Sequence, residues 1–467
     1  MRIGVFVCHC GINIGSVVDV PSVAEAARSM PGVVHAEDNL FTCSEDTQTI
    51  IRDRIAEHRL TRVVVAACTP RTHEPLFRAT CQEAGLNPYL FEMANIREHC
   101  SWVHQDDPGQ ATAKAVDLVR MAVGRAAQLS PLHERTVPVD DRIVVVGGGI
   151  AGIQAALSAA RGGHPVTLVE RESKVGGRLQ DLHRLSIGEV DARRLAKDLT
   201  ARLRTGGVDV MTRSQVGSVS GFVGNFQVEV APVEGRSGRP TTLTAGAVVV
   251  ATGSKVHEPP SFVRYNSSPR VITNLELEAR LRDAKWRRSI GGKRVVMVHC
   301  VGSMRSDQYG FPGCSRYCCT ASVTRARALA ELGARVFCIT RDVRTYQLLG
   351  EEAYREAQAA GVTFLRYFKR YPRISRSGTT VTFTEDHLGK SVQLRADLVV
   401  LNVALEPQDT NVGFRDLMKV PLDQNGYFLE HHPKLGPAET NTEGIYLAGT
   451  ARYPSDAMEA AASGAAA

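Results

Sequence analysis

A strand–turn–helix–strand pattern that occurs twice is the strongest constraint on how this chain can fold. The first copy runs from Arg142 to Glu170 and reads RIVVVGGGIAGIQAALSAARGGHPVTLVE. The second begins at Arg294 with RVVMVHCVGS, carries an insertion, and continues through TASVTRARALAELGA into the strand RVFCIT. A buried strand, a tight turn and a helix in this order are typical of βαβ units with parallel strands. Their duplication predicts an α/β protein with two doubly wound parallel sheets.

The glycine spacing of the first copy indicates a dinucleotide site. Gly147 permits a tight turn, Gly149 lets backbone approach a pyrophosphate, and Gly152 lets the helix pack close to the strand. The N-terminus of that helix offers free N–H groups and a positive dipole end to phosphates. Glu170, at the end of the next strand, is placed to accept hydrogen bonds from a ribose. The turn is predicted to bind the cofactor also through Ile150 and Ala151.

Three later segments favour FAD as that dinucleotide. KVGGRL at 174–179, VVVATGS at 248–254 and NTEGIYLAGT at 441–450 resemble three flavin-binding segments of flavoproteins with two dinucleotide-binding domains. Those flavoproteins usually carry Asp where this chain has Thr450. We expect the chain to bind flavin despite this change. The change does, however, put the contact to the ribityl chain in question. The further residues predicted to bind FAD are Arg171, Gly177, Arg178, Leu179, Ala251, Thr252, Gly253, Gly449 and Thr450.

The second copy departs from a nucleotide-binding pattern. His299, Cys300 and Val301 stand where the duplicated turn needs glycines, and side chains there obstruct a pyrophosphate. Thr340 replaces the carboxylate of Glu170. A role for the neighbouring Arg341 in binding the 2′-phosphate of NADPH stays open.

Cysteines stand in the insertion of this second copy. Cys300, Cys314, Cys318 and Cys319 form the pattern C-x13-C-x3-C-C among glycines. Four soft thiolates on such a loop are what a [4Fe–4S] cluster requires. Zinc also accepts four thiolates, although zinc ribbons favour two-residue spacers over a vicinal pair. The third possibility is that these cysteines bind no metal. Of the three, we predict the [4Fe–4S] cluster.

The N-terminal cysteines predict a second cluster. Several of them follow apolar runs that read as parallel strands, and the carboxyl ends of such strands meet at one edge of a sheet. The predicted ligands are Cys10, Cys43, Cys68 and Cys100, any one of which Cys8 can replace. Cys81, in a helical stretch, and Cys338, in the middle of a strand, are interpreted as small buried hydrophobes.

These features divide the chain into four segments. Residues 1–135 are predicted to form an N-terminal α/β iron–sulfur domain, followed by a linker around SPLHERTVPVDD. Residues 140–260 begin the FAD domain, and 261–402 form the second dinucleotide-type domain with the cysteine motif. Residues 403–467 return to the FAD domain and end in an alanine-rich helix from about Asp456, a pattern still helical at Ala467.

Composition excludes several functional classes. The net charge of +7 comes without a block of like charge, which argues against nucleic-acid binding. The chain contains no run of about 18 apolar residues, and its N-terminal apolar run ends in cysteines, so neither a membrane span nor a signal peptide is predicted. We therefore expect a cytoplasmic protein with free thiols.

The residues resemble one family over nearly the whole chain, the A-type subunits of heterodisulfide reductase, which are iron–sulfur flavoproteins. The resemblance rests on CHCGINIG at 8–15, AACTPRTHEPLF at 66–77, NPYLFEMANIREHCSWVH at 87–104, VVVGGGIAGIQAAL at 144–157, the Cys300–Cys319 pattern, and the closing LAGTARYP and ASGAAA. It implies a thioredoxin-reductase-like FAD domain, a cluster on the C-x13-C-x3-C-C motif, and an N-terminal cluster. Longer members carry ferredoxin-like C-x2-C-x2-C-x3-C-P runs that this chain lacks, so flavin-based electron bifurcation is not predicted.

The resemblance implies an oxidoreductase that acts with partner subunits and an electron carrier, as a homodimer. FAD would exchange electron pairs and two [4Fe–4S] clusters single electrons. The disulfide-cleaving site belongs in this family to partner subunits, and no catalytic residue is assigned here. Two alternatives stay open, an NAD(P)H-dependent pyridine-nucleotide-disulfide oxidoreductase and an assembly scaffold with structural cofactors.

Overall fold

The protein divides into two units, Met1–Val137 and Pro138–Ala467, in the computed structural model. The structure describes residues 1–188, 190–305, 307, 309–368 and 370–467. Within these residues, no helix has the length and apolar character that crossing a membrane requires. Each unit has sheets and hydrophobic cores of its own.

The first unit contains a four-stranded parallel sheet with two helices on each face. Its elements are β1 (Ile3–Cys8), α1 (Val20–Arg28), β2 (Val33–Asn39), α2 (Glu45–Glu57), β3 (Arg62–Ala67), α3 (Pro70–Glu83), β4 (Phe91–Asn95) and α4 (Pro108–Gln128). The sheet order is β2-β1-β3-β4, with α1 and α4 on one face and α2 and α3 on the other. Because both faces are covered, β1 and β3 are nearly continuous apolar runs.

Short polar residues start the helices of this unit. The side chains of Asp19, Ser44, Thr69 and Asp107 accept backbone N–H groups in the first turns of α1 to α4. The sequence pattern predicts the last of these helices from Thr112, but it begins four residues earlier. Asp107 supplies the cap and Pro108 has the backbone φ that a first helical residue needs.

The second unit contains two five-stranded sheets and smaller antiparallel ones. Its elements up to residue 290 are β5 (Ile143–Val146), α5 (Ile150–Arg161), β6 (Val166–Glu170), α6 (Ala192–Thr205), β7 (Asp209–Thr212), β8 (Ser214–Ser220), β9 (Phe226–Pro232), β10 (Thr241–Ala245), β11 (Ala247–Val250), β12 (Ser254–Val256), β13 (Val271–Thr273), α7 (Asn274–Arg282) and α8 (Ala284–Ser289). The remainder are β14 (Arg294–Val301), α9 (Tyr317–Glu331), β15 (Arg335–Thr340), α10 (Gly350–Ala359), β16 (Thr363–Arg366), β17 (Arg373–Ile374), β18 (Thr380–Glu385), β19 (Lys390–Arg395), β20 (Leu398–Val403), β21 (Leu405–Pro407), α11 (Asn411–Met418), β22 (Ile445–Leu447) and α12 (Ala457–Ala466).

The two five-stranded sheets have the same strand arrangement except for one edge strand, which comes last along the chain in the first sheet (β22) and first in the second (β13). Their orders are β22-β11-β5-β6-β7 and β13-β20-β14-β15-β16, and all neighbouring strands are parallel. In each sheet the duplicated strands hold the third and fourth places, joined by α5 in one and α9 in the other. This confirms the predicted duplication and the doubly wound α/β class.

The end of the chain returns to the first sheet. β22 pairs with β11, and α12 packs on α5. A Cβ at Gly464 would lie 2.0 Å from the carbonyl oxygen of Ala151, so the two helices approach more closely than a side chain allows. The C-terminal helix is therefore held beside the glycine-rich turn.

A buried ion pair in the half built on the second five-stranded sheet also binds a loop of the half built on the first sheet. The guanidinium of Arg325 on α9 binds the carboxylate of Glu278 on α7, and both side chains are less than a tenth exposed. Arg325 also donates to the Arg184 carbonyl, and Glu278 accepts the backbone N–H of His183 at 2.8 Å. A loop of the first half is thus hydrogen-bonded to helices of the second.

Removing one partner of this pair should destabilise the second unit strongly. Glu278→Leu leaves the Arg325 charge buried and unpaired, which costs roughly 3–5 kcal/mol of unfolding free energy. The double variant Glu278→Leu/Arg325→Met should recover most of that loss. Denaturant unfolding of the three proteins measures both effects. The exposed α10 pair Glu351–Arg355 is the control, and the single substitution Glu351→Leu should cost less than about 1 kcal/mol. Equal losses for Glu278→Leu and Glu351→Leu would contradict the assignment.

Candidate functional site

A cavity of about 980 Å³ lies at the carboxyl ends of the strands in the first sheet. Its wall includes the residues that end or follow β5, β6, β11 and β22. This is the crevice where open α/β sheets bind ligands, and the volume suits a dinucleotide.

The glycine-rich turn at this cavity meets each of its three steric requirements. Gly147 has a φ of +107°, and a Cβ there would lie 2.3 Å from the Ala251 carbonyl oxygen. A Cβ at Gly152 would lie 1.9 Å from the carbonyl oxygen of Gly147, so helix and strand touch through backbone. Beside Gly149, by contrast, no described atom lies within 4 Å of the Cβ position. The space that a pyrophosphate needs is open at the N-terminus of α5.

Glu170 is held at the rim of the cavity by backbone groups. Its Oε2 accepts the Gly148 N–H and its Oε1 the Glu172 N–H, both at 2.7 Å. The side chain is buried and lines the cavity. Its carboxylate is therefore held in one orientation, as binding a ribose requires.

Four polar atoms in the cavity wall are buried without a hydrogen-bond partner among the described residues. They are Thr252 Oγ1, Gln347 Oε1, Ser455 Oγ and Asp456 Oδ2. A buried polar atom without a partner costs about 1–3 kcal/mol. These atoms fit a ligand that carries polar groups into the cavity, and FAD, with its hydroxyls and pyrophosphate, is such a ligand.

The other predicted residues fall into two sets. Gly152 and Gly449 serve packing behind the wall, since a Cβ at Gly449 would lie 2.6 Å from Ala151 Cβ. Thr450 lines the cavity, with its hydroxyl 3.2 Å from that of Ser254. The remaining predicted residues also line the cavity, namely Ile150, Ala151, Arg171, Gly177, Arg178, Leu179, Ala251 and Gly253.

Part of the wall comes from the second half of the unit and was not predicted. Asn274, Glu278, Tyr317, Arg325 and Gln347 line the cavity together with Ser455 and Asp456. The residues of the second half lie on α7, α9 and the loop after β15, far along the chain from the glycine-rich turn. No local pattern marks them, because their position depends on how the two halves pack.

Side chains fill the corresponding turn of the second sheet. His299 and Val301 are fully or almost fully buried, and the imidazole of His257 packs on Gly302. Arg341 donates to the Met304 carbonyl, and its guanidinium lies 5.7 Å from the Tyr367 ring. The Arg341 guanidinium, which the sequence left open as a partner for a nucleotide 2′-phosphate, therefore contacts groups of the protein itself.

The four cysteines of this half gather around the start of α9. Cys318 and Cys319 occupy its first turn, Cys300 is the penultimate residue of β14 and has a φ of +59°, and Cys314 accepts the Arg316 N–H at 3.3 Å. A hydrogen bond from Cys318, assisted by His299, lowers the pKa of Cys319 to about 4. Burial, then the charges of Cys319 and Cys314, raise the pKa of Cys300 to about 12. The sulfurs thus influence one another electrostatically.

No group of three metal-binding side chains close enough to hold a single metal ion occurs among the described residues. Thiolates that bind a cluster surround several irons and sulfides, so they stand farther apart than ligands of one ion. The absence of a single-ion site among the described residues therefore does not bear on a larger centre.

In the first unit, Cys8, Cys10, Cys43 and Cys68 come together at one end of the sheet. Cys8 and Cys68 follow from β1 and β3, and Arg97 reaches Cys10 Sγ at 3.8 Å. Burial, with smaller effects of Cys10 and Cys43, raises the pKa of Cys68 to about 11. Burial and then the charge of Cys8 raise the pKa of Cys43.

The structure does not bring Cys100 to this group. Its thiol is fully buried and donates to the Ala111 carbonyl of α4 at 3.0 Å. Cys100 faces the helix that covers the sheet, which favours Cys8 as the alternative ligand. Cys81 and Cys338 are fully buried in α3 and β15, as predicted.

Known proteins resemble this chain over its full length. A family model described as pyridine nucleotide-disulphide oxidoreductase matches residues 141–298. The A-type subunit of the H(2):CoB-CoM heterodisulfide,ferredoxin reductase of Methanothermobacter marburgensis is 35% identical over 100% of this chain and 84% of its own. A CoB--CoM heterodisulfide reductase iron-sulfur subunit of the same type from Methanopyrus kandleri is 37% identical over the same shares. This chain belongs to the family of heterodisulfide reductase A-type subunits.

Membership of this family confirms the resemblance and makes the chain an oxidoreductase. The alignments to these relatives extend over 557 residues, against 467 in this chain, so the relatives contain segments that it lacks. Among solved structures, a T. acidophilum thioredoxin reductase aligns with 70% of this chain and 96% of its own, at 18% identity and a TM-score of 0.47.

Adding one methyl group at Gly152 should destabilise the second unit. Gly152→Ala places a Cβ against a backbone oxygen that cannot move without breaking the turn, and we expect a loss of roughly 1–3 kcal/mol or more. Gly413→Ala is the control, because Gly413 lies within α11 with no described atom near its Cβ position. There alanine should be neutral or stabilising by up to about 1 kcal/mol. Thermal unfolding of the flavin-free proteins compares the two, and an equal response would refute the close approach.

Proposed function

We propose that this chain is the FAD- and [4Fe–4S]-carrying electron-transfer subunit of a heterodisulfide-reductase-like complex. One observation carries the proposal. The helix α9 presents Tyr317, Ala321 and Arg325 to the cavity, while its first turn carries Cys318 and Cys319. A flavin in the cavity and a cluster on these cysteines would share one helix, which suits electron transfer between them.

The turn Gly147–Ala151 and the N-terminus of α5 would bind the pyrophosphate of FAD, and Glu170 a ribose. The halves of the second unit would enclose the remainder, with Arg178 and Thr252 on one side and α9 on the other. When bound, FAD supplies the conversion between two-electron and one-electron transfer. The buried wall residues position the cofactor and exclude water.

Two [4Fe–4S] clusters are proposed. Cys300, Cys314, Cys318 and Cys319 would hold one in the second unit, and Cys8, Cys10, Cys43 and Cys68 the other in the first. The relative from Methanopyrus kandleri is named an iron-sulfur subunit, which supports clusters in this family. The filled turn and the engaged Arg341 favour a cluster over a nicotinamide at the second sheet.

The proposed setting is a cytoplasmic complex in which this chain acts as a homodimer. Relatives are named as single subunits of a reductase, which supports partner subunits. An electron carrier would exchange electrons with the chain, and the partner subunits would perform any disulfide chemistry.

Cofactor content tests the proposal directly. Anaerobically purified protein should contain one FAD and two four-iron clusters per chain. Cys318→Ala should remove about half of the iron and acid-labile sulfide and leave the flavin bound, because it removes one ligand of one cluster. Cys338→Ala is the control and should keep all cofactors. Rapid bleaching of the flavin by NADPH, with no iron in the protein, would establish the NAD(P)H-dependent alternative. A flavin that no reductant or partner reduces would favour the scaffold.

The N-terminal ligand set has its own test. Cys8→Ala should remove the other half of the iron, since Cys8 lies with Cys10, Cys43 and Cys68. Cys100→Ala should leave the iron content unchanged and cost only packing energy, because its thiol is in the core under α4. Iron and sulfide analysis of both variants decides, and the reverse pattern would restore Cys100 as the ligand.

A further inference from the structure

We infer that Asp456, rather than the residue at position 450, binds the ribityl chain of the flavin. The inference rests on the proposed FAD and adds a residue to its site. In related flavoproteins the carboxylate expected to make this contact follows the glycine that Gly449 represents, and here that residue is Thr450. The hydroxyl of Thr450 accepts a hydrogen bond from Ser254 at 3.2 Å and does not carry the negative charge of a carboxylate.

Asp456 has one carboxylate oxygen that is occupied and one that is free among the described residues. Oδ1 caps α12, accepting the N–H groups of Met458 and Glu459 at 2.6 and 3.0 Å. Oδ2 is buried and has no partner, and the residue, 8% exposed, lines the cavity. The cap therefore fixes the carboxylate, and the free oxygen needs a donor.

The chemistry of FAD limits which of its groups can supply that donor. Phosphate oxygens and the carbonyl oxygens of the flavin ring are acceptors, so they are repelled by a carboxylate oxygen. The adenine amine and the N3–H of the flavin ring are donors at the two ends of the molecule, far from the pyrophosphate, whereas the hydroxyls of the ribityl chain and of the ribose are donors on either side of it. A carboxylate that is already oriented would gain a charge-assisted hydrogen bond from either.

The sheet order decides between the two sets of hydroxyls. Glu170, placed to bind the ribose, ends β6 on one side of β5, whereas Asp456 follows β22 on the other side. A dinucleotide whose pyrophosphate lies at the β5 turn has its flavin half on the β22 side. Gly464 touches Ala151 at that turn, and Asp456 lies about 12 Å further along α12, at roughly 1.5 Å per residue. Asp456 is thus displaced from the proposed pyrophosphate position on the side where the ribityl chain would lie.

Neighbouring contacts keep Asp456 in place. The carboxylate of Glu459 accepts the Asp456 N–H at 3.4 Å and binds Arg316 at 2.9 Å. Arg316 in turn lies between the rings of Tyr346 and Tyr453. The start of α12 is thus tied to the cysteine-bearing loop, which holds Asp456 at the cavity for direct contact with the flavin.

Binding of FAD to the flavin-free full-length chain tests the inference. Asp456→Ser keeps a good helix cap but removes the free oxygen, and should weaken FAD binding about tenfold or more. Asp456→Asn, which keeps cap and shape, should give a smaller loss. Asp191→Ser is the matched control, because Asp191 caps α6 outside the cavity and its replacement should leave the Kd unchanged. Flavin fluorescence measures each Kd, and melting of the flavin-free proteins verifies folding.

FAD analogues lacking one ribityl hydroxyl identify the contact. Against the unaltered chain, at least one analogue should bind about tenfold more weakly than FAD, whereas Asp456→Ser should bind that analogue and FAD alike. Equal FAD affinity of Asp456→Ser and the unaltered chain would overturn the inference, as would an undiminished penalty for the analogue in the variant. Failure of the unaltered chain to bind FAD would instead refute the proposed function.

Discussion

Direct backbone contact at the glycine-rich turn is the constraint on which the cavity at the first five-stranded sheet depends. Gly147 and Gly152 let α5 lie against the ends of β5 and β11 at distances that exclude any Cβ. That approach aims the helix N-terminus at the cavity. Glu170 reaches the cavity from the β6 side, and α12 from the β22 side. The rest of the cavity wall is arranged around a turn in which Gly147 and Gly152 leave no room for any other side chain.

The second sheet shows that the fold can form without the glycine-rich turn. β14, β15 and β20 form the same parallel ladder without the glycine turn, because hydrogen bonds between strands hold the sheet together. The turn is thus free to change its chemistry. His299 and Cys300 take the place of glycines, and the insertion brings further cysteines to α9. One scaffold carries a nucleotide cradle in one copy and a group of thiols in the other.

Features encoded locally were predictable from the sequence. The duplication, the roles of the three glycines, the buried strands and the cysteine-bearing insertion all depend on residues close together in the chain. The ion pair of Glu278 with Arg325 was not foreseen, since its partners stand on helices that only packing brings together. The proposed choice of Cys8 over Cys100 depends on which way each thiol points from its element. The spacing of cysteines along the chain does not predict the direction in which each thiol points.

The cavity is walled by both halves of the second unit, and this makes occupancy and architecture thermodynamically linked. A nucleotide that contacts α5 on one side and α9 on the other would bind only when the two halves are packed as described, so it would stabilise that packing by mass action. At a free concentration of about 100 times its Kd the gain is about 2.7 kcal/mol, comparable to the cost of breaking one buried ion pair. The cofactor then acts as a removable cross-link between the halves, and heat resistance becomes a measure of how fully the cavity is filled.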